Sequence, residues 1–229
     1  MYTTTSIHDI EEEALELQRD LWDNQFTLWP GEKVTRLDVC DPFVAAHVLG
    51  FTVQDGWLDN RGARLGHQFA GFINRPGTVI GVSNQLPPRT QRFTVAHEVA
   101  HILLHPGIQH HREMPIHGMT EPREPVDPKE REANQFAGCF LVPRHVLKRA
   151  FKDSFGVETL RLTDDVAYEL LGDGFMALMN SHPSSIMFER LLAQAKRFNR
   201  RHFDPLSDLF KVSPTTLAIR LKQCGLAYR

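Results

Sequence analysis

The residues with the most pointed chemistry are two histidines and the glutamate between them. The stretch RFTVAHEVAHILLHPG, residues 92–107, sets His97, Glu98, His101 and His105 into an otherwise apolar run. Buried without partners, polar rings and a carboxylate cost about 1–3 kcal/mol each, so the run needs something to hold them. His97-Glu98-x-x-His101 is an H-E-x-x-H pattern. On an α-helix, residues i and i+4 share a face, so both imidazoles can reach one ion. Zinc suits two neutral imidazoles plus a carboxylate, with a fourth position left for water, and manganese is compatible with the same ligand types. An ion so held brings the pKa of its water down to about 7 and polarises a carbonyl. Glu98, one residue round the helix, is placed to take that water's proton and pass it to a leaving amine. Such a set would suit peptide hydrolysis.

A third ligand has to come from elsewhere. The metzincin continuation H-E-x-x-H-x-x-G-x-x-H fails, because Leu104 and Gly107 stand at its Gly and last His positions. His105 lies one turn beyond His101. Three ligands at i, i+4 and i+8 on a straight helix cannot converge, since the outer two are about 12 Å apart along the axis. His105 is therefore expected to support the site or to stabilise carbonyls at the helix end. His110, His111 and His117 fall in a Pro-, Gly- and His-rich stretch, 106–126, that reads as an exposed loop able to touch substrate or stray metal. The next acidic helix offers Glu130 and Glu132. Glu130 projects nearer the apolar stripe but has a local role in a capping box; Glu132 has no such role and flanks small residues.

The elements that must position these groups are legible in outline. A first helix is expected over 7–22, with Ile7, Ile10, Ala14, Leu17 and Leu21 at helical spacing. In DPFVAAHVLG, Asp41 reads as an N-cap, Pro42 as the first helical residue and Gly50 as the C-terminal stop, with His47 as a structural histidine. FTV then starts a strand, and HQFAGFINRPGTVIGVSN reads as two strands joined at NRPG. The H-E-x-x-H helix is expected over 90–105. Asp127, Pro128 and Glu130 open the following helix, Ala133, Phe136, Ala137, Phe140 and Leu141 form its stripe, and Pro143 stops it. From 144 onward the chain reads as helical, with breaks near KDSFG, LGDG and SHPSS.

Composition narrows the class. At 229 residues and 41% hydrophobic, the chain can bury a real core. A net charge of −2 gives no global pull toward nucleic acid or an anionic membrane. Three scattered cysteines argue against a disulfide framework and fit a reducing compartment. The N-terminal stretch has no signal-peptide pattern and no apolar run is long enough to span a bilayer, so a soluble, cytoplasmic protein is expected.

RFTVAHEVAHILLH, then EREANQFAGCFLVP after a loop, with INRPGTVIGVSN upstream, resembles the ImmA/IrrE family of zinc metallopeptidases over about residues 35–145. The resemblance implies a gluzincin-like His, His, Glu site in a compact core and places the third ligand at the acid of the EAN triplet, Glu132. It also implies a regulatory endopeptidase that cuts an XRE-type helix-turn-helix repressor to release stress or mobile-element genes, sometimes paired with an antitoxin-like partner. Residues 150–200 make a longer helical insertion than the family pattern suggests.

The expected architecture is α+β, with a small antiparallel sheet packed on the metal-binding helix pair. A metallopeptidase-like core would span 1–145 and a mostly helical region 146–229. In the latter, 204–226 reads as helix, turn at KVS and second helix, a helix-turn-helix spacing with Arg197, Arg200, Arg201, Arg220 and Lys222 as local positive charge. Direct DNA reading is the lesser expectation because the chain as a whole is not basic. His97, His101 and Glu132 are the expected zinc ligands, Glu98 the general base, and His105, His145 and Tyr168 the candidates for stabilising an oxyanion. A strand of the 69–83 meander is expected to pair with an extended substrate. The alternative is a DNA- or partner-binding regulator of toxin–antitoxin type whose metal is structural; that needs a closed site, and only three convincing ligands are in view.

Overall fold

The computed structural model describes residues 6–55, 70–107, 110–113 and 127–229, and of Asp55 and 110–113 the backbone alone. It divides into two compact units, Met1–Leu141 and Val142–Arg229. No helix among the described residues is long and apolar enough to cross a membrane.

In the first unit, α1 (Ile7–Asp23) begins where the Ser6 hydroxyl accepts from the Asp9 amide at 3.1 Å. Ile10, Ala14, Leu17 and Leu21 form its buried stripe. Ile7, expected in that stripe, is 66% exposed because packing begins one turn later. Gln18 is the polar residue on this face, and its Nε2 donates to the Phe140 carbonyl at 2.8 Å. That carbonyl lies in the last turn of α5 (Pro128–Leu141), where helical acceptors have no partner within the helix. After the single turn α2 (Gln25–Leu28), Asp41 starts α3 (Pro42–Val48) by accepting from the Phe43 amide at 2.9 Å. Its other oxygen receives Arg92 at 3.3 Å. Gly50, at φ +83°, turns the chain out of this helix into the sheet. His47 is exposed rather than structural. Burial pushes the Cys40 thiol up to about 12, so it stays protonated and unreactive at neutral pH.

The four strands β1 (Thr52–Asp55), β2 (Gly71–Asn74), β3 (Val79–Val82) and β4 (His110–Glu113) pair in the order β1-β3-β2-β4. β2 is antiparallel to both neighbours, whereas β1 runs parallel to β3. The sheet is therefore mixed, not wholly antiparallel. The long connection after Asp55 supplies the length that a parallel pairing requires. β4 also departs from expectation. His110–Glu113, read as loop because residues 106–126 are rich in Pro, Gly and His, takes its register from β2, with Gly71 opposite Glu113 and Asn74 opposite His110. As a result β2 and β3 each have a strand on both sides, so the meander offers no edge for a substrate. The outer strands among the described residues are β1 and β4.

α4 (Pro88–Leu104) packs against α3, α5, β2 and β3, and every residue from Thr94 to His101 is buried. A helix surrounded on all sides shows no clean apolar stripe. Its last turn is held by Arg75 from the β2–β3 turn, whose Nη2 donates to the carbonyls of His101 (2.7 Å), Ile102 (3.1 Å) and His105 (3.2 Å). A cation there satisfies orphan acceptors and complements the helix dipole. Arg75→Ala is expected to cost about 1–3 kcal/mol, from partly buried charged hydrogen bonds, read as a lower denaturation midpoint with unchanged slope.

The second unit runs α6 (Arg144–Phe155), β5 (Leu160–Arg161), α7 (Asp164–Leu171), α8 (Phe175–Met179), α9 (Met187–Gln194), β6 (Arg197–Phe198), β7 (Arg201–His202), α10 (Leu206–Leu209), α11 (Pro214–Gln223) and β8 (Ala227–Tyr228). It is not wholly helical: β5 pairs with β8, and β6 with β7 across Asn199 and Arg200, both at positive φ as a tight hairpin requires. α10 and α11 occupy the helix-turn-helix spacing, with Ser213 capping the second helix. Arg220, counted as surface charge in the sequence, is 1% exposed and bonds the Val142 carbonyl and Gln223. It is an internal strut. Arg197, Arg200, Arg201 and Lys222 are exposed.

Candidate metal centre

α4 supplies His97 and His101, one turn apart, both with no exposure. Their Nε2 atoms face each other at 3.0 Å. α5 packs across them and brings Glu130, whose two oxygens lie 3.2 Å from His97 Nε2 and 3.4 Å from His101 Nε2. These three residues form a cluster able to hold a metal ion. Two bonds of 2.0–2.1 Å at a tetrahedral angle separate their donor atoms by about 3.3 Å. The three observed separations bracket that value, so the residues fit a tetrahedral divalent ion.

The proton on His97 is placed to favour this. Its Nδ1 lies 3.1 Å from Asn134 Oδ1, which can only accept, so the ring proton sits on Nδ1 and leaves Nε2 with its lone pair. Asn134 stands one turn beyond Glu130 on α5, so a single helix carries both the third acid and the partner that orients the first histidine. The sequence offers Glu130 beside Glu132 as a candidate third ligand but gives no role to Asn134. An i, i+4 acid and amide opposite an H-E-x-x-H helix is the signal that could have found them.

Glu132, which the resemblance made the third ligand, is not brought to the pair. Two residues further along α5 is about 200° round the helix, and its Oε2 meets His105 Nε2 at 3.0 Å instead. His105 is 3% exposed, and its Nδ1 lies 2.9 Å from His101 Nδ1. With both ring nitrogens so engaged, His105 is poorly suited to an oxyanion; the helix-end carbonyls expected of it go to Arg75. His145 and Tyr168 belong to the second unit and are exposed, Tyr168 edge-on to Phe175. His117 lies outside the described residues, as do the side chains of His110 and His111.

Glu98 has no exposure. The β2 backbone makes room for it: a Cβ at Gly71 would collide with Thr94 Cγ2 and come within 3.1 Å of Glu98 Oε1. Gly71→Ala is expected to displace the carboxylate and lower any hydrolytic rate about 10-fold or more, since small misplacements of a reacting group are costly. Metal content should be unchanged, because the glycine touches none of the three candidate ligands' donor atoms. A rate equal to wild type in the alanine variant would dissociate β2 from the positioning of Glu98.

Residues 60–170 match the family model described as the IrrE N-terminal-like domain, Peptidase_M78. No curated protein matches the chain. Among solved structures, a Mycobacterium tuberculosis transcriptional regulator is similar at 17% identity and a TM-score of 0.35, over 86% of this chain and 49% of that one. This chain thus spans about half the length of that protein. The matched residues contain α4, α5 and every residue of the cluster, and the match supports a relationship to the ImmA/IrrE family of metallopeptidase-type regulators.

Proposed function

We propose that the chain is a metal-dependent endopeptidase that cuts one protein substrate, a transcriptional repressor of the XRE helix-turn-helix type or an antitoxin-like protein. The observation that carries the reading is the triangle of His97, His101 and Glu130 with a fully buried glutamate, Glu98, next to the first ligand on the same helix. A purely structural zinc site has four protein ligands; among the described residues this cluster has three. The substrate class rests on the family resemblance.

His97, His101 and Glu130 would hold the ion, zinc or manganese, and Asn134 keeps the His97 proton away from it. A divalent ion in that position supplies Lewis-acid polarisation of the scissile carbonyl and eases the deprotonation of water. Glu98 accepts the proton of the attacking water and returns it to the departing amine, so the carboxylate ends each cycle as it began. Burial of the helix around it keeps bulk water from competing for that proton.

Co-expression of the chain with repressors encoded beside it, followed by intact-mass analysis, tests the reading. One discrete pair of fragments is expected with the wild-type chain and none with Glu98→Gln. Intact repressors in both cases, together with a gel shift of upstream DNA by the chain itself, would replace peptidase by DNA-binding regulator.

A further inference from the structure

We propose that Glu132 and His105 form an outer relay that fixes the ring proton of His101, so that Glu132 tunes the metal site without binding the metal. The inference rests on the ligand set His97, His101 and Glu130 proposed above. Three contacts carry it, in series: Glu132 Oε2 to His105 Nε2 at 3.0 Å, His105 Nδ1 to His101 Nδ1 at 2.9 Å, and His101 Nε2 to the Glu130 oxygen at 3.4 Å. All three relay side chains are almost wholly buried.

The direction of each bond follows from what the end group can do. A carboxylate only accepts, so His105 must carry a proton on Nε2. A neutral His105 then has its lone pair on Nδ1, and that atom can only accept. The contact with His101 is therefore donated by His101 Nδ1, which leaves His101 Nε2 with a lone pair directed at the cluster. Asn134 achieves the same for His97 in one step. The two histidine ligands are thus set by two different devices, an amide in direct contact and a carboxylate acting through a second ring. The second device ends in a full negative charge. Through the two hydrogen bonds that charge increases the electron density that His101 offers an ion. It also explains why α5 carries two glutamates two positions apart: they face opposite sides of one site, one to ligate and one to orient.

The measurement uses the full-length chain and Zn2+ as probe, with affinity from competition against a chromogenic chelator. Glu132→Ala is expected to weaken Zn2+ binding about 10–100-fold, the usual loss for outer-sphere partners, while still binding one ion per chain. Glu132→Gln, whose amide oxygen can accept from His105 but bears no charge, should fall between wild type and alanine. In 15N spectra of wild-type protein labelled at histidine, the His105 proton should be on Nε2 and the His101 proton on Nδ1. An affinity within twofold of wild type in Glu132→Ala, or a His105 proton on Nδ1, overturns the relay. If Glu132→Ala does not fold, the wild-type proton positions alone decide in the same way. Failure of the underlying ligand set looks different: Glu132→Ala would take up no Zn2+, whereas Glu130→Ala would bind as wild type.

Discussion

Glu98→Gln is expected to cut proteolysis of the substrate about 100- to 10,000-fold, the range for loss of a general acid–base group, with metal content unchanged. The substitution exchanges one oxygen for an amide nitrogen of similar size. It therefore fits the space between α4 and Gly71 that the carboxylate fills in the native chain. What it removes is proton affinity: an amide cannot take a proton from water at neutral pH. Glu98 is not among the three donor groups of the cluster, so Zn2+ should still bind with wild-type stoichiometry. Because the residue is wholly buried, the variant also reports on stability. A neutral group replaces a charged one away from water, so the melting temperature should hold or rise. That pairing of lost activity with kept stability separates a chemical role from a folding one. Cleavage at the wild-type rate would remove Glu98 from the mechanism.

The elements around the site were legible where local rules decide them. Asp41 as a cap, Pro42 and Pro128 as first helical residues, and the NRPG turn between strands all depend on neighbours within four positions. The H-E-x-x-H pattern was equally plain because its geometry is that of a single helix turn. Contacts across elements were not. Whether Glu130 or Glu132 faces α4 depends on how α5 is rotated against it, which the apolar stripe on α5 fixes only to within part of a turn. Glu130 has a ready local explanation near an N-terminus, and that obscured its longer-range role. β4 was invisible for a related reason: HHRE has no alternation of its own and is a strand because β2 offers it an edge. Arg220 shows the converse error, since a charged residue read as surface is buried by its reach to Val142 and Gln223.

Removing the metal should destabilise the first unit, and Glu130→Ala should abolish most of the difference. An ion present at about 1,000 times its dissociation constant stabilises the fold by about 4 kcal/mol, or about 8–16 °C in melting temperature for a chain of this size. Chelation of wild-type protein should produce a fall of that order. The physical source lies in the pairing of α4 and α5. Glu130 is the ligand proposed from α5, so an ion would tie the two helices together only while that carboxylate is present. In Glu130→Ala the histidines remain with two ligands from one helix. Zn2+ affinity should then fall by several powers of ten, and chelation should move the melting temperature by no more than a few degrees. Glu132→Ala should keep most of the shift, reduced by the weaker affinity of a site whose His101 proton is no longer fixed. The order wild type, Glu132→Ala, Glu130→Ala in metal-dependent stabilisation is therefore the signature of one ligating and one orienting glutamate. The reverse order of the two variants would exchange their roles and place the third ligand at the EAN triplet.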